Sequence, residues 1–231
     1  MTEEKMAKTP LWLFEIPKPR ALLVVAHCDD ETIFAGGLIL SSHDTQWTII
    51  CCTTESAQRE EEFRCACHFF ERESGNPVNP ILFGLTPDSH VNPAIRERVE
   101  GLLVKKLRSY AVGYDIVFTH NSEGEYGHPD HKLVHRYVVN SIGNPNTWLF
   151  ISPGSTNINQ DRLRSTKPGG NVKVNLAANI RRLKIRAFQE CHVSQANRYG
   201  YDENGKLRNT DLRETLLWEF ESGKEEYTFH R

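Results

Sequence analysis

Five short apolar runs, the first four each followed by a stretch of helical character, constrain this chain more than any other feature. Ala21 to Ala26, Thr48 to Cys52, Pro80 to Phe83, Asp115 to Thr119 and Thr147 to Ile151 are brief, apolar on both faces and dominated by Val, Ile and Leu. Strands buried in a parallel sheet read this way, because helices cover both of their faces. Helical patterns fill the intervals: Glu31 to Ser42, Ser56 to Arg72, Asn92 to Tyr110 and Pro129 to Ile142. In the third of these, Ile95, Val99, Leu102, Leu103 and Leu107 recur at helical spacing with charges between them. Alternation of strand and helix predicts an α/β fold, a three-layer sandwich with helices on both faces of a mostly parallel sheet. Ligands of such folds bind beyond the carboxyl ends of the strands. The residues that follow each strand are therefore where chemistry is expected.

Those positions are crowded with functional groups. His27, Asp29, Asp30 and Glu31 follow the first strand, Thr54, Glu55 and Arg59 the second, and Asp88 and His90 the third. The fourth is followed by THNSEGEYGHPDHKLVH, in which Pro129 suits the first turn of a helix and leaves His128 as its cap, with His131 one turn further along the same side. Taken alone, the three acidic residues after the first strand could simply cap a helix, an effect of about 0.5–2 kcal/mol. The two motifs together say more. His27, Asp30 and His131 form a two-histidine, one-carboxylate set with an open position, the usual composition of a hydrolytic zinc site. Ferrous iron suits the same donors. Asp29 stands beside the ligand Asp30 and is placed to accept a proton from water, while His128 is placed to stabilise an oxyanion or to protonate a leaving amine.

AHCDDE (residues 26 to 31) and GEYGHPDH (residues 124 to 131) closely resemble the two signature motifs of the PIG-L/LmbE-like family of zinc-dependent N-deacetylases, whose first motif usually reads AHPDDE and whose second contains HPDH. The resemblance runs from about residue 21 to 140, with a weaker echo at HVSQ, residues 192 to 195. It implies a Rossmann-like sheet and hydrolysis of the acetamide of an N-acetylglucosamine-type sugar or its conjugate. On the same basis His27, Asp30 and His131 would bind zinc, Asp29 would be the general base, and His128 would serve the tetrahedral intermediate or act as acid. Tyr126 would assist at the oxyanion, and Arg59 and Asp88 would contact the sugar. Glu31 is expected to steady a ligand or the helix start. Cys28 stands where the family usually has proline, which relaxes a constraint on φ. It reads as a tolerated small residue, with metal coordination or oxidation by its thiol as the alternative.

Elsewhere the sequence mostly excludes. With 231 residues there is room for one large domain, and no clean linker or internal repeat argues for two. The expected organisation is a single domain over residues 1–231, with a core at about 19–151, a Ser/Gly/Pro/Asn-rich loop at 152–171 and an extension at 172–231. In the extension, Val172 to Val174 and Thr215 to Phe220 read as strands and Ala177 to Cys191 as a helix. A formal net charge of −2 provides no footprint for nucleic acid or an anionic membrane, which leaves a small molecule or a second copy of the chain as partner. No run is long and apolar enough to span a membrane and the first residues do not resemble a signal peptide, so a cytoplasmic location is expected. The six cysteines fit no secreted disulfide framework and are expected to be reduced and mostly buried. RRLKIR, residues 181 to 186, reads as a solvated basic helix face, with phosphate binding as the alternative. Gly36 and Gly37 lie within a helix pattern rather than a phosphate-binding turn, so no dinucleotide site is indicated. Two other functions remain beside deacetylation of an amino sugar: amide hydrolysis on another small N-acyl conjugate, and sugar binding without catalysis around a structural metal.

Overall fold

The structure is a computed structural model that describes residues 16–85, 101–102, 104–109, 113–125, 127–142, 147–150, 171–199 and 224–230. The elements in chain order are β1 (Arg20–Val25), α1 (Asp30–Ser41), β2 (Gln46–Thr53), α2 (Ala57–Ser74), β3 (Val78–Leu85), β4 (Ile116–Thr119), α3 (Pro129–Ile142), β5 (Thr147–Phe150), β6 (Asn171–Asn175), α4 (Ala178–Cys191), α5 (Val193–Tyr199) and β7 (Lys224–His230). They form one sheet in the order β3-β2-β1-β4-β5-β7-β6. The first five strands in that order are parallel, and β7 pairs antiparallel with both β5 and β6.

The continuous apolar character of β1 has its cause in this arrangement. Ala21, Leu23 and Val25 join one core cluster with Phe34, Leu38, Phe63, Phe70 and Phe188, from α1, α2 and α4. Leu22, Val24 and Ala26 enter a second cluster with Leu107, Val134 and Val138, from the helical residues 104–109 and from α3. Successive side chains of a strand point to opposite faces, so a strand covered on both sides cannot alternate with polar residues. Helix α1 is likewise buried from Asp30 to Leu40. Gly36 lets it approach its neighbours: a Cβ there would meet Lys184 Cγ at 3.3 Å and Phe70 Cζ at 3.5 Å.

Strand order reverses between β1 and β4, which lie side by side with Val24 opposite Thr119. This switch point opens a crevice at the carboxyl ends of the two central strands. The first motif begins there, with His27 two residues beyond β1, and the segment that leads into the second starts at His120, directly after β4.

Several expectations need correction. Strand β7 carries KEEYTFH, too charged to read as a buried strand, yet it occupies an interior position between β5 and β6. Among the helical residues 104–109 Leu107 is fully buried, but Leu102 is 44% exposed and does not belong to the buried stripe. Lys184 within RRLKIR is wholly buried, so that segment is not simply a solvated face, whereas Arg186 pairs with Glu190 in solvent. Cys65 is disulfide-bonded to Cys191, joining α2 to α4, against the expectation that every thiol is reduced. Cys28, Cys51, Cys52 and Cys67 are free and buried, as expected. Among the described residues no helix is long and apolar enough to cross a membrane. The segment Thr215 to Phe220 and nearly all of the loop at 152–171 lie outside the described residues.

Candidate metal centre and active site

The turn after β1 aims its side chains inward. Asp29 precedes α1 but makes no side-chain capping bond, so the helix-cap reading of the acidic cluster does not hold for it. Its carboxylate instead meets the Arg59 guanidinium, Nη2 to Oδ2 3.1 Å. Arg59 lies in the first turn of α2, where Ser56 Oγ accepts its backbone N–H and fixes the helix start. Asp30 folds back so that Oδ2 accepts the backbone N–H of His27 at 2.8 Å. That oxygen is then ringed by imidazoles: His27 Nδ1, His120 Nε2 and His131 Nε2 each lie 3.4 Å away.

Carboxylates hold the outer sides of these rings. His27 Nε2 meets Asp130 Oδ2 at 3.2 Å. His131 Nδ1 meets Glu125 Oε2 at 2.6 Å, and His120 Nδ1 meets the same oxygen at 2.9 Å. At the start of α3, His128 Nδ1 accepts the Asp130 backbone N–H at 3.2 Å, which leaves its ring proton on Nε2. The imidazole thus caps the helix, as expected from its place before Pro129.

The inward lone pairs test whether a metal ion fits. With their outer nitrogens donating to carboxylates, His27 Nδ1 and His131 Nε2 face each other at 3.2 Å, and both face the Asp30 oxygen. When both rings are neutral, three lone pairs converge in a buried pocket, a donor set that fits a divalent metal ion. Groups of side chains able to hold one are His27, His128 and His131, and Asp30, His120 and His131. His120 is the least free of these, because its Nε2 already accepts the Ala26 backbone N–H at 2.9 Å.

Charge follows the same logic. Burial would pull His27 down, but Asp130 and Asp30 beside it push it up to about 10, so the pocket draws positive charge. Burial would raise the Asp30 carboxyl, yet the surrounding imidazoles, His131 foremost, hold it well below the usual carboxylate range. Glu125, despite complete burial, is held at about 2 by His120 and His131. Burial, with His120 beside it, lowers His131 and keeps it neutral, as a metal ligand must be. Burial and the His27 charge push His128 down to about 4. At neutral pH it is therefore uncharged, with its ring proton on Nε2. For Asp29, burial raises the carboxyl against the opposing pull of Arg59.

Seven of the nine sequence-predicted site residues can be located: His27, Asp30 and His131 converge, Asp29 and Arg59 adjoin them, His128 borders them and Glu31 lies behind. Tyr126 and Asp88 lie outside the described residues. Arg59, expected to touch a sugar, is engaged with Asp29 and lies 3.6 Å from Glu62. Glu31 is fully buried and accepts from Thr32 Oγ1 at 2.7 Å, with His192 Nε2 also 2.7 Å away, which ties the first motif to HVSQ. The Cys28 thiol faces Cys51 Sγ at 3.2 Å and belongs to neither metal-binding group. Sequence reading missed His120, Glu125 and Asp130. All three were visible within THNSEGEYGHPDH, but only the fold turns them toward the ligands.

Several known proteins are similar to this chain in sequence or in fold. Two deacetylases described as acting on 1D-myo-inositol 2-acetamido-2-deoxy-alpha-D-glucopyranoside are similar in sequence. The one from Gordonia bronchialis is 31% identical over 52% of this chain and 56% of its own, and the one from Actinosynnema mirum is 28% identical over 54% and 55%. An uncharacterized protein of Acanthamoeba polyphaga mimivirus is 25% identical over 60% of this chain and 64% of its own. The chain therefore spans less than two thirds of the curated relatives it matches. Among solved structures, the zinc-inhibited form of a teicoplanin deacetylase superposes with a TM-score of 0.58 at 16% identity, over 80% of this chain and 88% of that one. A 4-carboxy-2-hydroxymuconate hydratase from Pseudomonas putida superposes at 0.52 with 18% identity, over 78% and 80%. These superpositions share the fold; chemistry must be read from the motifs. The family model described as PIG-L: GlcNAc-PI de-N-acetylase matches residues 22–142, more than half of the chain and both motifs, and the protein belongs to that family.

Proposed function

We propose that this protein is a metal-dependent hydrolase that removes the acetyl group from an N-acetylglucosamine-type amino sugar or its conjugate. The observation that carries this reading is the convergence of His27 Nδ1, His131 Nε2 and Asp30 Oδ2 on one point, with Asp29 and His128 beside it. His27, Asp30 and His131 would hold zinc, with ferrous iron as the other metal this donor set suits. When bound, such a metal acidifies water and polarises an amide carbonyl. Asp29 accepts the proton of the attacking water, its basicity balanced between burial and the Arg59 charge. His128 donates from Nε2 to the oxygen that gains charge as the carbonyl becomes tetrahedral. Tyr126, next to Glu125, is proposed to assist at that oxygen, and Arg59 and Asp88 to contact sugar hydroxyls. Collapse of the tetrahedral carbon breaks the C–N bond and releases acetate and the free amine, whose proton returns from the Asp29 carboxyl.

Relatives described as deacetylases of an acetamido sugar support the amino-sugar acceptor over other N-acyl conjugates. A structural metal is disfavoured by the donor set itself, since structural zinc is closed by four protein ligands and has no use for an adjacent carboxylate and imidazole. The test is metal analysis of the purified protein and of His131→Ala, each assayed for acetate release from N-acetylglucosamine and from a panel of N-acyl sugars and amino acids. Loss of metal and acetate release together in the variant is expected. Wild type that binds metal but cleaves no member of the panel would defeat the deacetylase reading.

A further inference from the structure

Glu125 is fully buried, has a φ of 55°, and engages both carboxylate oxygens with N–H groups. That φ lies in the left-handed region, where a residue with a side chain is strained by about 1–3 kcal/mol and persists only if its surroundings demand it. What they demand can be followed proton by proton. The Ala26 backbone N–H points at His120 Nε2 at 2.9 Å, so this nitrogen accepts and the ring proton lies on Nδ1. Nδ1–H donates to Glu125 Oε2 at 2.9 Å. The other Glu125 oxygen, Oε1, accepts the Asn121 backbone N–H at 2.9 Å. His131 Nδ1 completes the set at 2.6 Å from Oε2, and a carboxylate with no proton to give obliges it to be the donor. The lone pair of His131 is thereby left on Nε2, facing Asp30 Oδ2 and His27 Nδ1.

We propose that Glu125 is the positioning residue that fixes the tautomer and aim of His131, through a buried bridge in which His120, locked by the Ala26 N–H, is the second anchor. The assignment rests on the metal-site reading above. It explains why a glutamate occupies a backbone conformation suited to glycine. Three N–H donors converge on it from β1 by way of His120, from the turn after β4, and from α3, and only an acceptor-only side chain satisfies them all. Glutamine fails in either orientation. With its NH₂ at the Oε1 position it opposes the Asn121 N–H; with NH₂ at Oε2 it faces two ring nitrogens that already carry protons. Relief of that clash moves the His131 proton to Nε2, where it blocks the metal position.

The experiment is zinc affinity of the full chain, measured by competition with a chromogenic chelator, for wild type and Glu125→Gln. It is paired with the two-bond proton–nitrogen spectrum of the histidines in metal-free wild type at mildly alkaline pH. Zinc binding about 10–100-fold weaker in Glu125→Gln is expected, the usual effect of removing an outer partner of a metal-bound histidine. His131 is expected as the Nδ1–H tautomer, a signature that packing alone would not impose and that is readable even if the variant does not fold. Affinity within about twofold of wild type, or an Nε2–H His131, would overturn the assignment and leave the metal site standing. Wild type that binds no zinc would defeat the metal-site reading itself, and this assignment with it.

Discussion

Nη2 of Arg59 stands 3.1 Å from Oδ2 of Asp29, and both side chains are buried at the mouth of the crevice. The pair links the end of β1 to the first turn of α2. The Arg59 charge opposes, without overcoming, the burial that raises the Asp29 carboxyl.

If Asp29 is the base and not a ligand, Asp29→Asn should separate chemistry from metal binding. Acetate release should fall by about 10²–10⁴-fold, the range for loss of a general base. Metal content should stay stoichiometric. Mass spectrometry of the purified variant beside its progress curve checks both, and full activity with metal bound would remove Asp29 from the mechanism.

His120 and His131 lie equally close to Asp30, yet they should behave differently. His120 Nε2 is occupied by the Ala26 N–H, whereas His131 Nε2 faces His27 Nδ1 and Asp30 Oδ2. Purified His120→Ala should therefore retain bound metal with weakened affinity, and His131→Ala should lose it. Equal loss in both would make His120 a ligand.

Behind the site, Glu31 and His192 form a fully buried pair with Thr32 at 2.7–3.0 Å. Removal of the imidazole in His192→Ala leaves the buried Glu31 carboxylate with Thr32 but without its imidazole partner. Such a loss costs about 1–3 kcal/mol, more where the group is charged. A lower urea midpoint with an unchanged slope is the expected result. No change would mean that water replaces the imidazole.

How much of this was legible in the sequence follows from the range of each interaction. The parallel strands were readable because burial on both faces leaves a continuous apolar run, as in Leu22 to Ala26. The ligands were readable because each motif is short and its spacing is set by one turn of chain. Strand β7 was not, since its partners β5 and β6 lie far away in sequence and it opens with three consecutive charged residues. The Cys65–Cys191 bond was invisible for the same reason, at a separation of 126 residues. Glu125 was hidden differently: nothing in EGEYGH distinguishes a solvent-facing glutamate from one folded beneath two histidines. The partner of Arg59 could not be told either, because helix spacing places its backbone but not the carboxylate it meets.

Gly124 holds the second motif in shape. Its φ is 67°, and a Cβ there would meet the His128 carbonyl oxygen at 2.5 Å, in the turn that aims Glu125 and His128. Gly124→Ala should lose about 1–3 kcal/mol from the backbone conformation alone. Because the clash falls on backbone rather than on a flexible side chain, zinc affinity should fall as well. Chelator competition and chemical denaturation on one preparation test both.

The buried thiols make a prediction about pH. Burial raises Cys51, Cys52 and Cys67 above the ordinary thiol range, and it is the thiolate that attacks alkylating reagents. In the folded chain these three should resist iodoacetamide even at mildly alkaline pH. In denaturant their pKa values return to about 8.5, and alkylation should quicken as pH rises through that value. The sign follows from the shift: a thiol held protonated by the fold gains stability that is lost as pH climbs above its unfolded value. Cys65 and Cys191 should be labelled only after reduction, since they are bonded to each other. Mass mapping of labelled peptides, folded against unfolded and before against after reduction, reads both outcomes. Rapid labelling of Cys51 in the folded protein would show that the wall behind Cys28 is open to solvent.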